Sequence, residues 1–132
     1  MWVSDIESAV FSRIKARGRP LKEKYPTIFF TAEEETDETV PTFPTVYVQE
    51  LSGTGQGEDL DGSKTNALLS SFQINVYHNG TKSDVRYIMN NCGDTLESMR
   101  FRIINSPTYT VSNGVWKGVA RFRRTIGGND TL

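Results

Sequence analysis

Few residues in this chain have types and spacings that could support chemistry. His78 is the only histidine, and no serine or cysteine nucleophile stands in an evident catalytic arrangement with it. It lies at the end of a predicted strand beside a turn, so we expect a plain surface histidine. Cys92, the only cysteine, shares helical spacing with Met89 and Leu96, which predicts a buried, unreactive thiol. A single cysteine also excludes an intrachain disulfide and fits a reducing compartment.

The segment at residues 52–64 is rich in glycine and aspartate and contains two motif fragments. Gly53, Gly55 and Gly57 resemble a phosphate-binding loop, but no lysine followed by serine or threonine stands at P-loop spacing. Asp59 and Asp61 match part of a calcium loop, yet the glycine after them comes too early and no glutamate closes the loop. We therefore expect a solvated acidic loop. A catalytic site in this segment is the alternative, which a bound ligand or metal there would reveal.

The clearest structural pattern in the chain lies between residues 65 and 105. Alternation of period two over residues 68–77 predicts a strand with one buried face. After a turn, apolar residues recur at helical spacing over residues 83–99, with Thr81 or Ser83 as the N-cap. Gly93 lies on the apolar side of this helix, which favours close packing on a sheet. Residues 101–104 predict a returning strand, which Pro107 ends.

The remaining segments supply a second helix and several strands. A capping box at Ser4 and Glu7, followed by an apolar stripe, predicts a helix over residues 5–17 that stops at Gly18. Further strands are predicted at residues 27–31, 45–51, 108–111 and 115–125.

The last two of these strands should form a β-hairpin, because Asn113-Gly114 between them is a strong turn signal. Gly118 and Ala120 share a face with Trp116, and their small side chains leave room for a helix, so we place that face inward. The opposite face of the sheet would stay open and carry polar and basic side chains: Tyr47, Gln49, Gln73, Asn75, Tyr77, Lys117, Arg121 and Arg123.

These elements predict an α+β fold in one domain spanning residues 1–132. We expect an antiparallel or mixed sheet of four to five strands, with the two helices packed on one face. Mobile acidic loops are expected near residues 32–42 and 52–64, and a loose C-terminal tail at residues 127–132. The predicted core includes six side chains: Phe72, Ile74, Val76, Ile88, Leu96 and Phe122.

The charges of the chain are segregated along the sequence, although the net charge is only −1. Nine acids and no base lie between residues 33 and 61, whereas six bases and no acid lie between residues 100 and 124. Six bases and one acid lie between residues 13 and 24. Such blocks are typical of solvated loops. Alternatively, they form two patches of opposite sign, which suit self-association or a charged partner.

The composition argues for an interaction protein rather than a catalyst. No apolar run approaches the roughly 20 residues of a membrane helix, and no residues converge on an enzymatic site, so we expect no cofactor, metal or membrane partner. Lys117, Arg121, Arg123 and Tyr77 on the open face could follow a phosphate backbone. A small nucleic-acid-binding domain is therefore a rival interpretation, although the near-neutral charge and the lack of an aromatic cluster on that face argue against it.

Three stretches carry a resemblance to a known family: VYVQEL at 46–51, ALLSSFQINVYHNGTKSDVRYIMNNCGDTLESMRFRI at 67–103 and GVARFRRTIGGND at 118–130. Together they resemble the tail terminator, or tail completion, proteins of long-tailed siphophages. The resemblance covers most of the chain after residue 45. It is carried by the order of helix, strands, helix and terminal hairpin, with no catalytic signature.

This resemblance implies a homo-hexameric ring at the head-proximal end of the tail of the virion, assembled in the cytoplasm of the host bacterium. The ring would stop addition of the major tail tube protein, meet the head-completion or connector proteins, and border the tape measure protein. DNA would pass through its lumen without sequence recognition. No active-site residues carry over.

The candidate interface is therefore drawn from the charged segments. A head-to-tail ring needs two different complementary surfaces on each subunit, and the acidic and basic blocks could supply them. The candidate residues are Glu33, Glu34, Glu35, Asp37, Glu38, Glu58, Asp59, Asp61, Lys117, Arg121, Arg123 and Arg124.

Overall fold

A five-stranded mixed sheet with helices packed against it forms the framework of the protein, which confirms the α+β class. The computed structural model describes residues 3–32, 43–58 and 65–127. The elements within those residues are, in chain order, α1 (Val3–Arg17), α2 (Arg19–Lys24), β1 (Phe29–Thr31), β2 (Thr45–Glu58), β3 (Thr65–His78), α3 (Lys82–Ser98), β4 (Arg102–Ser112) and β5 (Val115–Gly127).

The strands lie in the order β1-β2-β3-β5-β4. β1 runs parallel to β2, and the other neighbours are antiparallel. β1 and β4 are therefore the two edges of the sheet. Asn113 and Gly114 both have positive φ, 52° and 77°, as a tight hairpin between β4 and β5 requires.

The helix-covered face of the sheet carries the core. Val48 of β2 lies opposite Ile74 of β3, which in turn lies opposite Ala120 of β5, so all three point to the same side. All six predicted core side chains are buried, which confirms the register: Phe72, Ile74, Val76, Ile88, Leu96 and Phe122.

Helix α3 packs directly on the central strands. Thr81 is its N-cap and forms a capping box with Asp84, because the Thr81 hydroxyl accepts from the Asp84 amide at 3.2 Å. A Cβ on Gly118 of β5 would lie 2.8 Å from Cγ1 of Val85, so this glycine allows the close approach of α3, as the sequence predicts. Gly93 faces Phe122, but a Cβ there would make only ordinary contact at 3.5 Å.

The N-terminal region has one more helix than predicted. Ser4 is already helical within α1, so it cannot be the N-cap, which has non-helical geometry. After Gly18 the chain begins the short helix α2, with Pro20 in its first turn, where proline's missing N–H costs nothing. Leu21 is fully buried and fixes α2 to the core. Gly18 ends α1 as predicted, but the second helix that begins directly after it was not predicted.

Two strand boundaries were also predicted wrongly. Residues 52–58 belong to β2 rather than to a loop, because the pairing with β3 resumes at Thr54–Leu69 after a bulge. β4 is one strand instead of two short ones interrupted at Pro107. Proline is tolerated there because β4 is an edge strand and shifts register on both sides of Asn105.

Parts of the predicted loops and tail lie outside the described residues. These are residues 33–42, 59–64 and 128–132, and they include most of the acidic candidates. Glu58 is the last residue of β2.

Candidate interaction surfaces

The open face of the sheet carries a connected row of polar side chains, as expected. Arg121 Nε donates to Gln73 Oε1 at 2.8 Å, and Gln73 Nε2 donates to Asn75 Oδ1 at 2.9 Å. Lys117 Nζ lies 5.6 Å from the centre of the Tyr77 ring. Asn75 is only 5% exposed, so this member of the row is shielded by its neighbours rather than open. The row forms an ordered polar surface with basic side chains.

The neighbouring arginines Arg123 and Arg124 lie on opposite faces of β5. Arg123 is exposed on the open face. Arg124 lies on the helix-covered face, is 7% exposed, and donates from Nη1 to the carbonyl oxygen of Met99 at 2.9 Å. Strand alternation therefore turns Arg124 inward, where it holds the end of α3, and its part in an interface stays a prediction.

A groove with four arginines lies where β4 begins and β5 ends. Its volume is about 510 Å³, and the described residues that line it include no acid: Arg100, Arg102, Ile103, Ile104, Arg123, Arg124 and Thr125. Arg100 and Arg102 carry no motif that singles them out in the sequence, although both belong to the basic block at residues 100–124. What the sequence lacked was the register that places them beside Arg123.

Arg102 lies directly opposite Arg123 across the β4–β5 pair. Like charges in this position destabilise a sheet unless an anion balances them. Among residues 3–32, 43–58 and 65–127, no ion pair between Arg102 or Arg123 and an acid is seen, so no described acid balances this pair of arginines.

Arg100 occupies a position at which glycine is normally favoured. Its φ is 68°, and it follows the C-terminus of α3, where the Phe101 amide donates to the Leu96 carbonyl at 3.0 Å and the Arg100 amide to the Glu97 carbonyl at 2.9 Å. This is the left-handed turn that ends many helices. A side chain at such a position strains the backbone, yet here it places a guanidinium in the groove.

The two edges of the sheet carry exposed apolar side chains. Ile103, Ile104 and Val111 of β4 are 43%, 39% and 52% exposed. At the opposite edge, Phe29 of β1 is 46% exposed and lines a second groove with Lys15, Arg19 and Lys22 among its neighbours. An eleven-residue edge strand with exposed isoleucines is a surface that proteins normally cover.

His78 is not the plain surface histidine that the sequence predicts. Its side chain is 13% exposed, with Nε2 3.5 Å from Oδ2 of Asp84, and its ring packs edge-on against Tyr25 at 5.7 Å. The Tyr25 hydroxyl donates to Oδ1 of Asp84 at 2.7 Å. This hydrogen bond is the main cause that lowers the pKa of Asp84. The cluster joins α2 to the start of α3 and has no nucleophile, so its arrangement is that of a structural contact.

A pair of carboxylates joins α1 to β2. Glu50 lies on the helix-covered face, and burial, together with repulsion from and a hydrogen bond with Glu7, raises its pKa to about 7. One of its carboxylate oxygens is buried with no hydrogen-bond partner. The pair therefore makes the contact between α1 and the sheet sensitive to pH.

The remaining candidates for chemistry are accounted for in the described part of the chain. Cys92 is fully buried, which confirms the prediction, and burial raises the pKa of its thiol to about 12. Gly53, Gly55 and Gly57 lie within β2, so they do not form a phosphate-binding loop. Among the described residues, no group of three potential metal ligands occurs, and no helix is long and apolar enough to cross a membrane.

Comparison with known proteins identifies a similar fold in a virus-like particle. The chain matches one chain of a solved structure described as the virion of a native gene transfer agent particle, with a TM-score of 0.54 and 14% sequence identity. The match covers 92% of this chain and 94% of that one. No protein-family model matches the chain, and no curated protein matches it. At this identity, the likeness establishes a shared fold over nearly the whole length of both chains.

Proposed function

We propose that this protein is a structural component of a phage-like virion, and specifically a tail terminator. In this role it forms a homo-hexameric ring at the head-proximal end of the tail tube, stops addition of the major tail tube protein and offers a joining surface to the head-completion or connector proteins. The tape measure protein ends near it, and DNA passes through its lumen without sequence recognition. The protein has no enzymatic role and assembles into virions in the bacterial cytoplasm.

The observation that carries this proposal is the presence of exposed apolar side chains at opposite edges of one sheet, on a fold found in a virion. A single two-fold contact would cover only one of the two edges, whereas a head-to-tail contact covers both and forms a ring when the rotation between subunits closes. The sequence resemblance to tail terminators points to the same assembly.

The charged candidates provide the specificity of that assembly. Lys117, Arg121 and Arg123 are the basic candidates on the open face, and Arg124 is a further candidate that is buried on the helix-covered face. The acidic candidates are Glu33, Glu34, Glu35, Asp37, Glu38, Glu58, Asp59 and Asp61. We propose that these two sets meet between ring subunits or between the ring and the adjoining tail ring.

Deletion of the gene from its phage tests the proposal directly. Particles made without the protein should contain tail tubes of uncontrolled length and heads without tails, both visible by electron microscopy. Restored protein carrying an affinity label should appear at the head-proximal tip in six-fold symmetry. Normal tail length and normal joining in the deletion strain would refute the proposal.

Nucleic-acid binding is the second candidate function, because Arg121 on the open face and Arg100, Arg102 and Arg123 in the groove form basic surfaces with no described acid against them. In that case the isolated monomer should bind DNA with an affinity that falls steeply as salt is raised. A ring-forming protein that binds DNA only weakly at physiological salt would exclude this alternative.

A further inference from the structure

We propose that the groove at Arg100, Arg102 and Arg123 is the socket for the acidic segment at residues 33–38 of a second copy of this chain. This inference rests on the proposed ring and identifies which surfaces join its subunits. It goes beyond the candidates selected from sequence, because it adds Arg100 and Arg102.

Arg100, Arg102 and Arg123 of the groove have no acid against them among the residues that the structure describes. Arg102 faces Arg123 directly, and Arg100 is held in a left-handed conformation beside them. No acid among the described residues balances these three side chains. Arginine is suited to such a site because its planar guanidinium binds carboxylates through two parallel hydrogen bonds.

The acidic segment is complementary in charge to the groove. Residues 33–38 contain five acids: Glu33, Glu34, Glu35, Asp37 and Glu38. A run of this kind repels itself and gains most from a concentrated basic partner. The groove provides that partner and also offers Ile103 and Ile104 as apolar walls.

The direction of β1, the strand that precedes the acidic segment, fits this contact. The described chain leaves β1 at the far edge of the sheet from β4. Because Thr31 pairs in parallel with Tyr47, β1 points toward the end of the sheet at which Leu51 pairs with Ser71 and Ser71 with Arg123. The acidic segment comes directly after β1 in the chain. β1 forms the edge of the sheet opposite to the groove, and it points toward the end of the sheet at which the groove lies. When the β1 edge of a neighbouring subunit packs against β4, the acidic segment of that subunit meets the arginines of the groove at the same end of the sheet.

The edges also explain why the acids are needed. The groove beside β1 includes Lys15, Arg19 and Lys22, so the β1 edge, like the β4 edge, carries positive charge. Two such edges repel each other unless anionic side chains lie between them. The acidic segment fills that role and leaves the exposed apolar residues of both edges to be buried.

Two charge-reversed variants test the contact. The socket variant carries Arg100→Glu and Arg102→Glu, and the segment variant carries Glu33→Lys, Glu34→Lys, Glu35→Lys and Glu38→Lys, which make the socket net negative and the segment net positive. In each variant alone, socket and segment have the same sign, so we expect native mass spectrometry and electron microscopy of tail tips to show no ring. In an equal mixture, each variant meets a complementary neighbour, so an alternating ring should form.

Two further variants separate assembly from folding and from bulk charge. Arg100→Gly removes a socket charge at a position of positive φ, so it should raise the unfolding temperature while weakening the ring. Arg13→Glu with Arg17→Glu changes the net charge by the same amount as the socket variant, on exposed positions of α1, and should leave ring formation unchanged. Raised salt should weaken the wild-type ring and so reproduce the defect of the socket variant.

The outcomes distinguish failure of the socket from failure of the proposed function. A wild-type ring that survives both reversals, or is lost equally with the α1 control, overturns the socket and leaves the ring in place. Absence of any wild-type ring, free or on tail tips, overturns both. Loss of DNA binding in the socket variant, without rescue by mixing, would assign the groove to nucleic acid instead.

Discussion

Tyr25 and Asp84 are 59 positions apart in the chain, and the hydroxyl of the first donates a 2.7 Å hydrogen bond to the carboxylate of the second. Tyr25 is the C-cap of α2, and Asp84 belongs to the capping box of α3. One contact therefore fixes the end of one helix to the start of another. It also places Asp84 near the positive end of the α3 dipole, where a carboxylate is stabilised.

We predict that Tyr25→Phe destabilises the protein by about 1–2 kcal/mol at neutral pH, because Asp84 loses a hydrogen bond to its charged form. The folded-state pKa of Asp84 is lowered, so its contribution is present above the unfolded pKa and is lost as the pH falls through the folded pKa. The difference in the free energy of unfolding between wild type and variant, measured by urea unfolding, should therefore shrink as the pH is lowered. Tyr87→Phe is the matched control, since the Tyr87 ring is 44% exposed and keeps its contact with Lys24 as phenylalanine.

Two glycines at the contact between α3 and β5, Gly93 in the helix and Gly118 in the strand, should respond in opposite directions to alanine. A Cβ at Gly118 would lie 2.8 Å from Val85 and 3.0 Å from the Tyr109 ring, so Gly118→Ala should cost about 1–3 kcal/mol through overpacking. Gly93→Ala makes only ordinary contact with Phe122 and should gain about 1 kcal/mol from helix propensity. Thermal and chemical unfolding of the pair would check this, and equal effects at both sites would contradict the packing of α3 on β5.

The two adjacent arginines of β5 should differ in their effect on stability. Arg124→Met removes a buried charged donor to the Met99 carbonyl and should cost about 2 kcal/mol. Arg123→Met, at an exposed position, should change the free energy of unfolding by less than about 0.5 kcal/mol. Equal losses in urea titrations would show that Arg124 does not hold the end of α3.

Stability should fall as the pH rises from 5 to 8, because the folded-state pKa of Glu50 is about 7 against a usual value of 4.5. A carboxyl group with a raised pKa binds its proton more tightly when folded, so deprotonation between these values favours unfolding. Glu50→Gln should remove most of this pH dependence and stabilise the protein at pH 8 by about 1 kcal/mol, because solvent screens a partly exposed carboxylate.

The midpoint of thermal unfolding, measured at several pH values, checks this prediction. Glu23→Gln on the exposed surface of α2 is the control and should leave the slope unchanged. An unaltered slope in Glu50→Gln would mean that another group is responsible.

The sequence alone determined the parts of the fold that depend on local periodicity. Alternation along β3 placed Phe72, Ile74 and Val76 inside, helical spacing placed Ile88 and Leu96 against them, and Asn113-Gly114 set the last hairpin. These signals are strong because each is repeated over several residues and each has one physical cause: burial on one face, or a backbone that tolerates positive φ. The boundaries of β2 and β4 were missed, because pairing with a neighbour extends a strand through glycine and proline positions that look like loop when read alone.

Only the tertiary structure decided which charged residues belong together. Alternation along β5 separates Arg123 from Arg124 in the sequence, but only the structure shows that Arg124 is buried and donates to the Met99 carbonyl at the end of α3. Arg100 and Arg102 carried no motif, yet the antiparallel register sets them beside Arg123 with no described acid to balance them. Likewise His78, alone in the sequence, meets Tyr25 and Asp84 because α2 folds back on α3. Charge composition is a property of the chain, whereas the position of each charge depends on contacts between residues far apart in it, and these form only when the sheet and helices pack.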